Sequence, residues 1–174
     1  SYARERRVQL EYADFSPMLI RAYLSAEDKN FFSHGGIDYI GIAVAIFDNL
    51  TSGGRSRGAS TITQQVAKNL LLTNEYSYTR KIKEAILAYR IENALNKQQI
   101  LSLYMNEIAL GRQAFGVEAA AQAYFGKSAD ALELHEMAFL AALPKAPERY
   151  SRAEHEQAAI GRRNWILGEM VANG

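Results

Sequence analysis

Three short clusters in this 174-residue chain carry side chains able to do chemistry. The first runs Glu27-Asp28-Lys29-Asn30-Phe31-Phe32-Ser33-His34-Gly35-Gly36. On a helix, Glu27 continues the apolar stripe of Ile20, Tyr23 and Leu24, which lie seven, four and three residues before it. An acid at the end of such a stripe is partly desolvated, which favours its neutral form and raises its pKa. A carboxyl so placed serves as a general acid or base near neutral pH. The plainer alternative is a helix-terminal acid that pairs with Lys29 or Arg21. His34 by itself reads more readily as a hydrogen-bonded structural residue than as a catalyst, and no His-Glu-x-x-His spacing marks a metal site.

The second cluster is Gly58-Ala59-Ser60-Thr61-Ile62-Thr63-Gln64-Gln65-Val66-Ala67-Lys68-Asn69. Small residues lead into hydroxyls at a helix start, where free amides and the helix dipole attract anions. Thr61, Gln65 and Lys68 then share one face, and a row of hydroxyl, amide and ammonium suits a phosphate or a sugar. An ordinary capped, solvated amphipathic helix has the same pattern. The third cluster is Thr79-Arg80-Lys81-Ile82-Lys83-Glu84. Three cations in the first turns of a helix oppose its dipole, which points to an anionic ligand or a neighbouring acid. Glu84 heads the stripe Leu87, Ala88, Ile91, Leu95 and so is expected to be part-buried. An Arg80–Glu84 pair is the bland reading, and it leaves Lys81 and Lys83 unexplained.

The elements that must position these clusters are helical, because apolar residues recur at helical spacing almost throughout and strand-type alternation is scarce. Ser16-Pro17 opens a first helix that Gly35-Gly36 stops. Ile37 to Leu50 is a second, unusually apolar element, closed by Thr51-Ser52-Gly53-Gly54. Further helices are expected over Thr61 to Leu72, Tyr78 to Leu95, Lys97 to Ala109 and Gly116 to Phe125, with Gly126 as a left-handed C-cap. Glu133 to Leu143 ends at Pro144, and Ser151 with Glu154 forms a capping box for the last helix. There is no internal repeat or linker, so one α-helical domain over residues 1–174 is the economical reading.

Composition narrows the function. Twenty Lys+Arg against 19 Asp+Glu give a net charge of +1, without the basic excess of a general nucleic-acid binder. With 48% hydrophobic residues and 3 Pro, the chain is not disordered. Zero cysteines exclude disulfide scaffolds, thiol catalysis and zinc-thiolate sites. The longest uncharged apolar stretch, Tyr39 to Phe47, is far short of the roughly 20 residues a bilayer requires. No signal peptide is visible, and the abrupt ends read as those of a domain excised from a longer, membrane-anchored protein.

Taken in order, the clusters resemble the peptidoglycan glycosyltransferase domain (glycosyltransferase family 51) of class A penicillin-binding proteins and monofunctional transglycosylases. The likeness covers roughly Leu19 to Tyr150. It rests on Glu27-Asp28-x-x-Phe31-x-x-His34-x-Gly36, Ser60-Thr61-Ile62-Thr63-Gln64-Gln65 and Arg80-Lys81-x-x-Glu84. Lys97-x-x-Ile100-Leu101-x-x-Tyr104-x-Asn106 and Ala141-Ala142-Leu143-Pro144-Lys145-Ala146-Pro147 complete it. Ala59, in place of the usual second glycine, and Met105, in place of leucine, depart from the pattern away from any ionisable group.

The resemblance implies an all-α, lysozyme-like, two-lobed fold with a head and a membrane-facing jaw at about residues 37–60. It implies polymerisation of lipid II into β-1,4-linked glycan strands, with inversion and release of undecaprenyl diphosphate, on the outer (periplasmic) face of the cytoplasmic membrane. By that likeness Glu27 is the base on the acceptor 4-hydroxyl, and Glu84 is the second catalytic acid, supporting the donor site. Lys68, Arg80 and Lys83 would hold phosphate charge among Ser60, Thr61, Gln64 and Gln65. Asp28, Phe31 and His34 would shape the cleft, and Asn69, Lys81 and Lys145 complete the substrate-binding set. No cofactor is obligatory, with a divalent cation (Mg or Mn) at the diphosphate left open. The implied partners are lipid II, the growing strand and the membrane surface, with no nucleic acid; a C-terminal transpeptidase domain would follow in a class A protein.

The residues themselves fit this. A diphosphate leaving group needs cations more than it needs a proton, so two acids beside a cationic helix start suit its displacement better than glycoside hydrolysis. The Ile37–Leu50 element would then dip into the membrane interface, its alternative being a buried core helix. Gly53 to Gly58, with Arg55 and Arg57, would lie near anionic headgroups. The nearest rival is a lysozyme or lytic transglycosylase, whose paired acids stand about 5–9.5 Å apart; Glu27 and Glu84 are expected farther apart, each serving a different sugar. A silent helical module that grips an anionic lipid is the other rival.

Overall fold

A computed structural model describes residues 9–52, 60–71 and 77–174, and within them the regular structure is helical. Nine α-helices follow one another among the described residues: α1 (Pro17–Glu27), α2 (Tyr39–Ser52), α3 (Ile62–Leu70), α4 (Tyr78–Ala94), α5 (Lys97–Glu107), α6 (Val117–Phe125), α7 (Leu134–Ala142), α8 (Pro147–Tyr150) and α9 (Glu156–Ala172). The Gly53–Gly58 loop, Leu72 and the Arg4-to-Arg7 run lie outside the described residues. The chain divides into two units, 1–26 with 101–174, and 27–100.

The first unit holds most of the large apolar core. Leu19, Ile20, Ala22 and Tyr23 of α1 are buried, as are Tyr104 and Met105 of α5 and Leu140 to Ala142 of α7. Tyr23 sets its ring edge-on to Tyr104 at 5.9 Å and donates its hydroxyl to the Leu140 carbonyl at 3.1 Å, so the buried phenol is satisfied. Helices α7 and α9 pack along each other, with Ile166 fully enclosed. Gly126 adopts φ 65°, the left-handed cap expected at the end of α6.

Two expected boundaries differ. The first helix ends at Glu27 rather than at Gly35-Gly36, because the chain then makes successive turns, Phe31 N–H to Asp28 O and Ser33 N–H to Asn30 O. The Ser151–Glu154 capping box does not form. Ser151 instead ends the short α8 that begins at Pro147 and donates its hydroxyl to the Glu148 carbonyl, and a 3-10 turn, Ala153–His155, precedes α9.

In the second unit α3 packs on α4, while among the described residues α2 packs extensively on no other helix. Asp38 caps α2, its Oδ1 accepting from Gly41 N–H at 2.9 Å; any Cβ on Gly41 would fall 2.3 Å from Asp38 Oδ2. Among the described side chains of α2 only Ala45 is buried. Tyr39, Ile40, Val44, Ile46, Phe47 and Leu50 are exposed, with Leu50 at 81%, so the buried-core reading of this element is wrong. Tyr39, Ile40, Ala43, Val44 and Phe47 line a shallow, almost wholly apolar depression on its surface.

Candidate active site

Every predicted site residue except Lys145 lies in the second unit, and the site is built outward from the loop that follows Glu27. Glu27 is the last residue of α1; it is partly exposed overall, but its Oε1 is shut off from solvent. Its neighbour Asp28 is 6% exposed and holds the loop in place. Asp28 Oδ2 accepts the Ile62 N–H at the start of α3 at 3.0 Å and meets His34 Nε2 at 2.7 Å. His34 Nδ1 accepts the Gly36 N–H at 3.0 Å. A nitrogen that accepts carries no proton, so the ring hydrogen sits on Nε2 and is donated to Asp28. Both nitrogens of His34 are therefore engaged within the loop.

This loop is stitched to α3 and α4 at further points. Thr61 is buried; its Oγ1 donates to the Gly36 carbonyl at 2.7 Å and accepts the Gln64 N–H at 3.0 Å. Gln64 Oε1 accepts the Thr61 N–H in return at 2.9 Å, closing a capping box. The anion expected at the start of α3 is thus already present among the protein's own groups, as the Asp28 carboxylate on the Ile62 amide. Gly36, at φ 112°, lies so close to α4 that a Cβ would meet the Ala88 carbonyl at 3.2 Å. Phe31 is fully buried, edge-on to the His34 ring at 5.8 Å, so it forms core beneath the loop and cannot touch a substrate directly.

On α4, Arg80, Glu84, Ala88 and Ile91 form the buried stripe, spaced four, four and three residues apart. Ser77 caps the helix by accepting the Arg80 N–H at 3.2 Å. Glu84 is 2% exposed. Lys81 Nζ stands 3.6 Å from its Oε1, while its Oε2 is enclosed with no hydrogen-bond partner among the described residues. An enclosed carboxylate oxygen without a hydrogen-bond partner among the described residues is expensive to bury, which marks a site where a ligand is expected to complete the arrangement. Lys81 is thereby explained by Glu84, and the exposed Lys83 remains available to an anion. Ser60 and Gln65 are half-buried, and Lys68 and Asn69 are exposed near the end of α3. Lys145 is exposed on the 3-10 turn Leu143–Lys145 of the other unit. No three His, Asp or Glu side chains converge to hold a metal among the described residues.

Three participants were not singled out in the sequence. Glu92 Oε1 accepts from Thr63 Oγ1 at 2.8 Å and from Lys97 Nζ at 2.7 Å, and Lys97 Nζ also donates to the His34 carbonyl at 2.6 Å. Lys97 and Thr63 were visible only as members of motifs and Glu92 carried no signal, since nothing in their spacing brings residues 29 apart together.

Comparison with known proteins adds the lineage. The family model described as Transglycosylase matches residues 1–171. Penicillin-binding protein 1A of Haemophilus influenzae is 50% identical over 167 residues, 96% of this chain and 20% of that protein. The proteins of the same description from Pseudomonas aeruginosa and Escherichia coli K12 are 49% and 46% identical over 173 residues, 99% of this chain. The chain thus spans about a fifth of the length of these curated relatives. Among solved structures, the crystal structure of penicillin-binding protein 1A from Haemophilus influenzae superposes with a TM-score of 0.50 at 29% identity, over 95% of this chain and 15% of that one. With residues 1–171 matched and its helical fold shared, the chain belongs to the transglycosylase family.

Proposed function

We propose that the chain is a peptidoglycan glycosyltransferase domain that polymerises lipid II into β-1,4-linked glycan strands. The observation that carries the proposal is the transglycosylase match over residues 1–171, in a chain that keeps an enclosed carboxylate at Glu84. In this reading Glu27 takes the proton from the 4-hydroxyl of the acceptor sugar as that oxygen bonds to the anomeric carbon of the donor. The bond from that carbon to undecaprenyl diphosphate breaks, the configuration inverts, and the diphosphate departs with the bonding electrons.

Charge builds on the leaving diphosphate, and fixed cations stabilise it more than they stabilise the ground state. Lys68, Arg80 and Lys83 supply that charge, and Ser60 and Gln65 flank it. Glu84 supports the donor. A divalent ion, where one is used, would be held by Glu84 on the protein side, since magnesium is commonly held by one or two carboxylates in phosphate-handling sites. It would add charge neutralisation at the diphosphate.

The exposed apolar face of α2 fits the interface of a bilayer, where a lipid-linked substrate is found. We place the domain on the outer face of the cytoplasmic membrane, as part of a longer protein that also carries a transpeptidase domain. The test is incubation of the protein with lipid II, followed by sizing of the products. Long strands with release of undecaprenyl diphosphate support the reading. Shortening of preformed glycan would make the protein a hydrolase, and binding without turnover would make it a lipid-gripping module.

A further inference from the structure

The chemistry proposed above leaves unused a part-buried polar cluster formed by Thr63, Glu92 and Lys97. Three elements meet in it: Thr63 from α3, Glu92 from α4 and Lys97 from the start of α5. Glu92 is the hub, accepting from Thr63 at 2.8 Å and from Lys97 at 2.7 Å on the same oxygen. Lys97 reaches past it to the His34 carbonyl at 2.6 Å and sits 4.4 Å from the centre of the Phe31 ring. The side chains of Lys97 and Glu92 are 22% and 11% exposed, so their attraction is only weakly screened by water.

An ammonium that serves only a surface ion pair has no need of a main-chain carbonyl and an aromatic face as well. Here the three contacts fall on two different parts of the structure. Glu92 belongs to the helix that carries Glu84, while His34 and Phe31 belong to the loop that follows Glu27. From His34 the restraint passes through the ring to Asp28 at 2.7 Å, and Asp28 is bonded directly to Glu27. Cation, carbonyl, imidazole and carboxylate thus form one chain of short contacts that ends at the peptide neighbour of the proposed base.

We infer that Lys97, held by Glu92, is a positioning residue that fixes the loop from Asp28 to Gly36 and thereby the carboxylate of Glu27. This inference rests on the proposed role of Glu27 as the base. Lys97 touches no reacting atom. Its contribution is to keep Glu27 within hydrogen-bond reach of the acceptor hydroxyl, a geometry to which catalytic rates are steeply sensitive.

The experiment compares Lys97→Met, Lys97→Arg and Glu27→Gln in the intact protein, with lipid II polymerisation as the readout and thermal melting as the check on folding. Methionine keeps the bulk of the stem and removes the cation. Lys97→Met is expected to lower kcat by about 10²-fold, the cost typical of a misplacement near 1 Å, while KM stays within about twofold. Arginine can still donate to both acceptors above the Phe31 ring, and should restore at least a tenth of the wild-type rate. A wild-type kcat in Lys97→Met, a loss confined to KM, or a loss that Lys97→Arg does not relieve overturns the inference. So does a drop that merely tracks the unfolded fraction seen by melting. If Glu27→Gln polymerises normally, the assignment of the base is what fails; if Glu27→Gln is inactive and Lys97→Met is not impaired, only the positioning role fails.

Discussion

Replacing Asp28 by alanine removes the acceptor at the centre of the loop behind Glu27. Two donors lose their partner, the Ile62 amide at 3.0 Å and His34 Nε2–H at 2.7 Å, in a place where Asp28 itself is only 6% exposed. A buried donor left without an acceptor costs about 1–3 kcal/mol. The Ile62 amide also heads α3, so the loss of a negative charge at the positive end of that helix adds about 0.3–1 kcal/mol. With two such donors the sum is about 2–7 kcal/mol, a large share of the roughly 5–15 kcal/mol by which a domain is stable. Asp28→Asn keeps one acceptor oxygen and should cost about 1–2 kcal/mol, since it forfeits only the charge assistance. Urea unfolding followed by circular dichroism measures both differences. A loss below about 1 kcal/mol for Asp28→Ala would refute the reasoning, because the two donors would then have found water or another acceptor.

Two other perturbations probe the remaining parts of the structure. The Glu133 N–H, which donates to Glu136 Oε1 at 2.8 Å, and the Lys127 ammonium at 2.7 Å together hold the Glu136 carboxyl below the usual carboxylate range. Because its folded-state pKa is depressed, the stability it contributes is full above the unfolded carboxylate range and is lost as the pH falls through the folded value. Glu136→Gln should therefore lower the urea midpoint at pH 7, and the gap to wild type should narrow as the pH falls below the usual carboxylate range; a gap that does not change with pH would be wrong for this account. On α2, Ile40→Glu with Phe47→Glu should reduce co-sedimentation with vesicles of anionic lipid at least tenfold, each lost apolar side chain being worth about 1.5–3 kcal/mol, and undiminished sedimentation would remove the membrane role of that helix.

The helices were largely legible from sequence because their signals are local. Thr61 with Gln64 and Gly126 act within one or two turns, and the structure uses them as their types predict. The Ser151–Glu154 signal misled for a physical reason: Pro147 nucleates a separate short helix just upstream, and that helix claims Ser151. The apolar α2 could not be assigned to core or surface, since a helix with few polar residues satisfies either environment and only packing partners decide between them. The site was readable in its residue types but not in its wiring. Asp28 reaches an amide 34 residues away, and Lys97 a carbonyl 63 residues away, pairings that no spacing rule supplies. Phe31 was expected to shape the cleft, and its place beneath the loop, under His34 and Lys97, could not be read from spacing.

The most direct test of the account is the initial rate of lipid II polymerisation by Glu27→Gln beside the unaltered protein. Glutamine keeps the size of the side chain and cannot take a proton, so the rate should fall by at least about 10²-fold, the usual contribution of a positioned base, while lipid II is still bound. Glycan strands formed at the unaltered rate would contradict it.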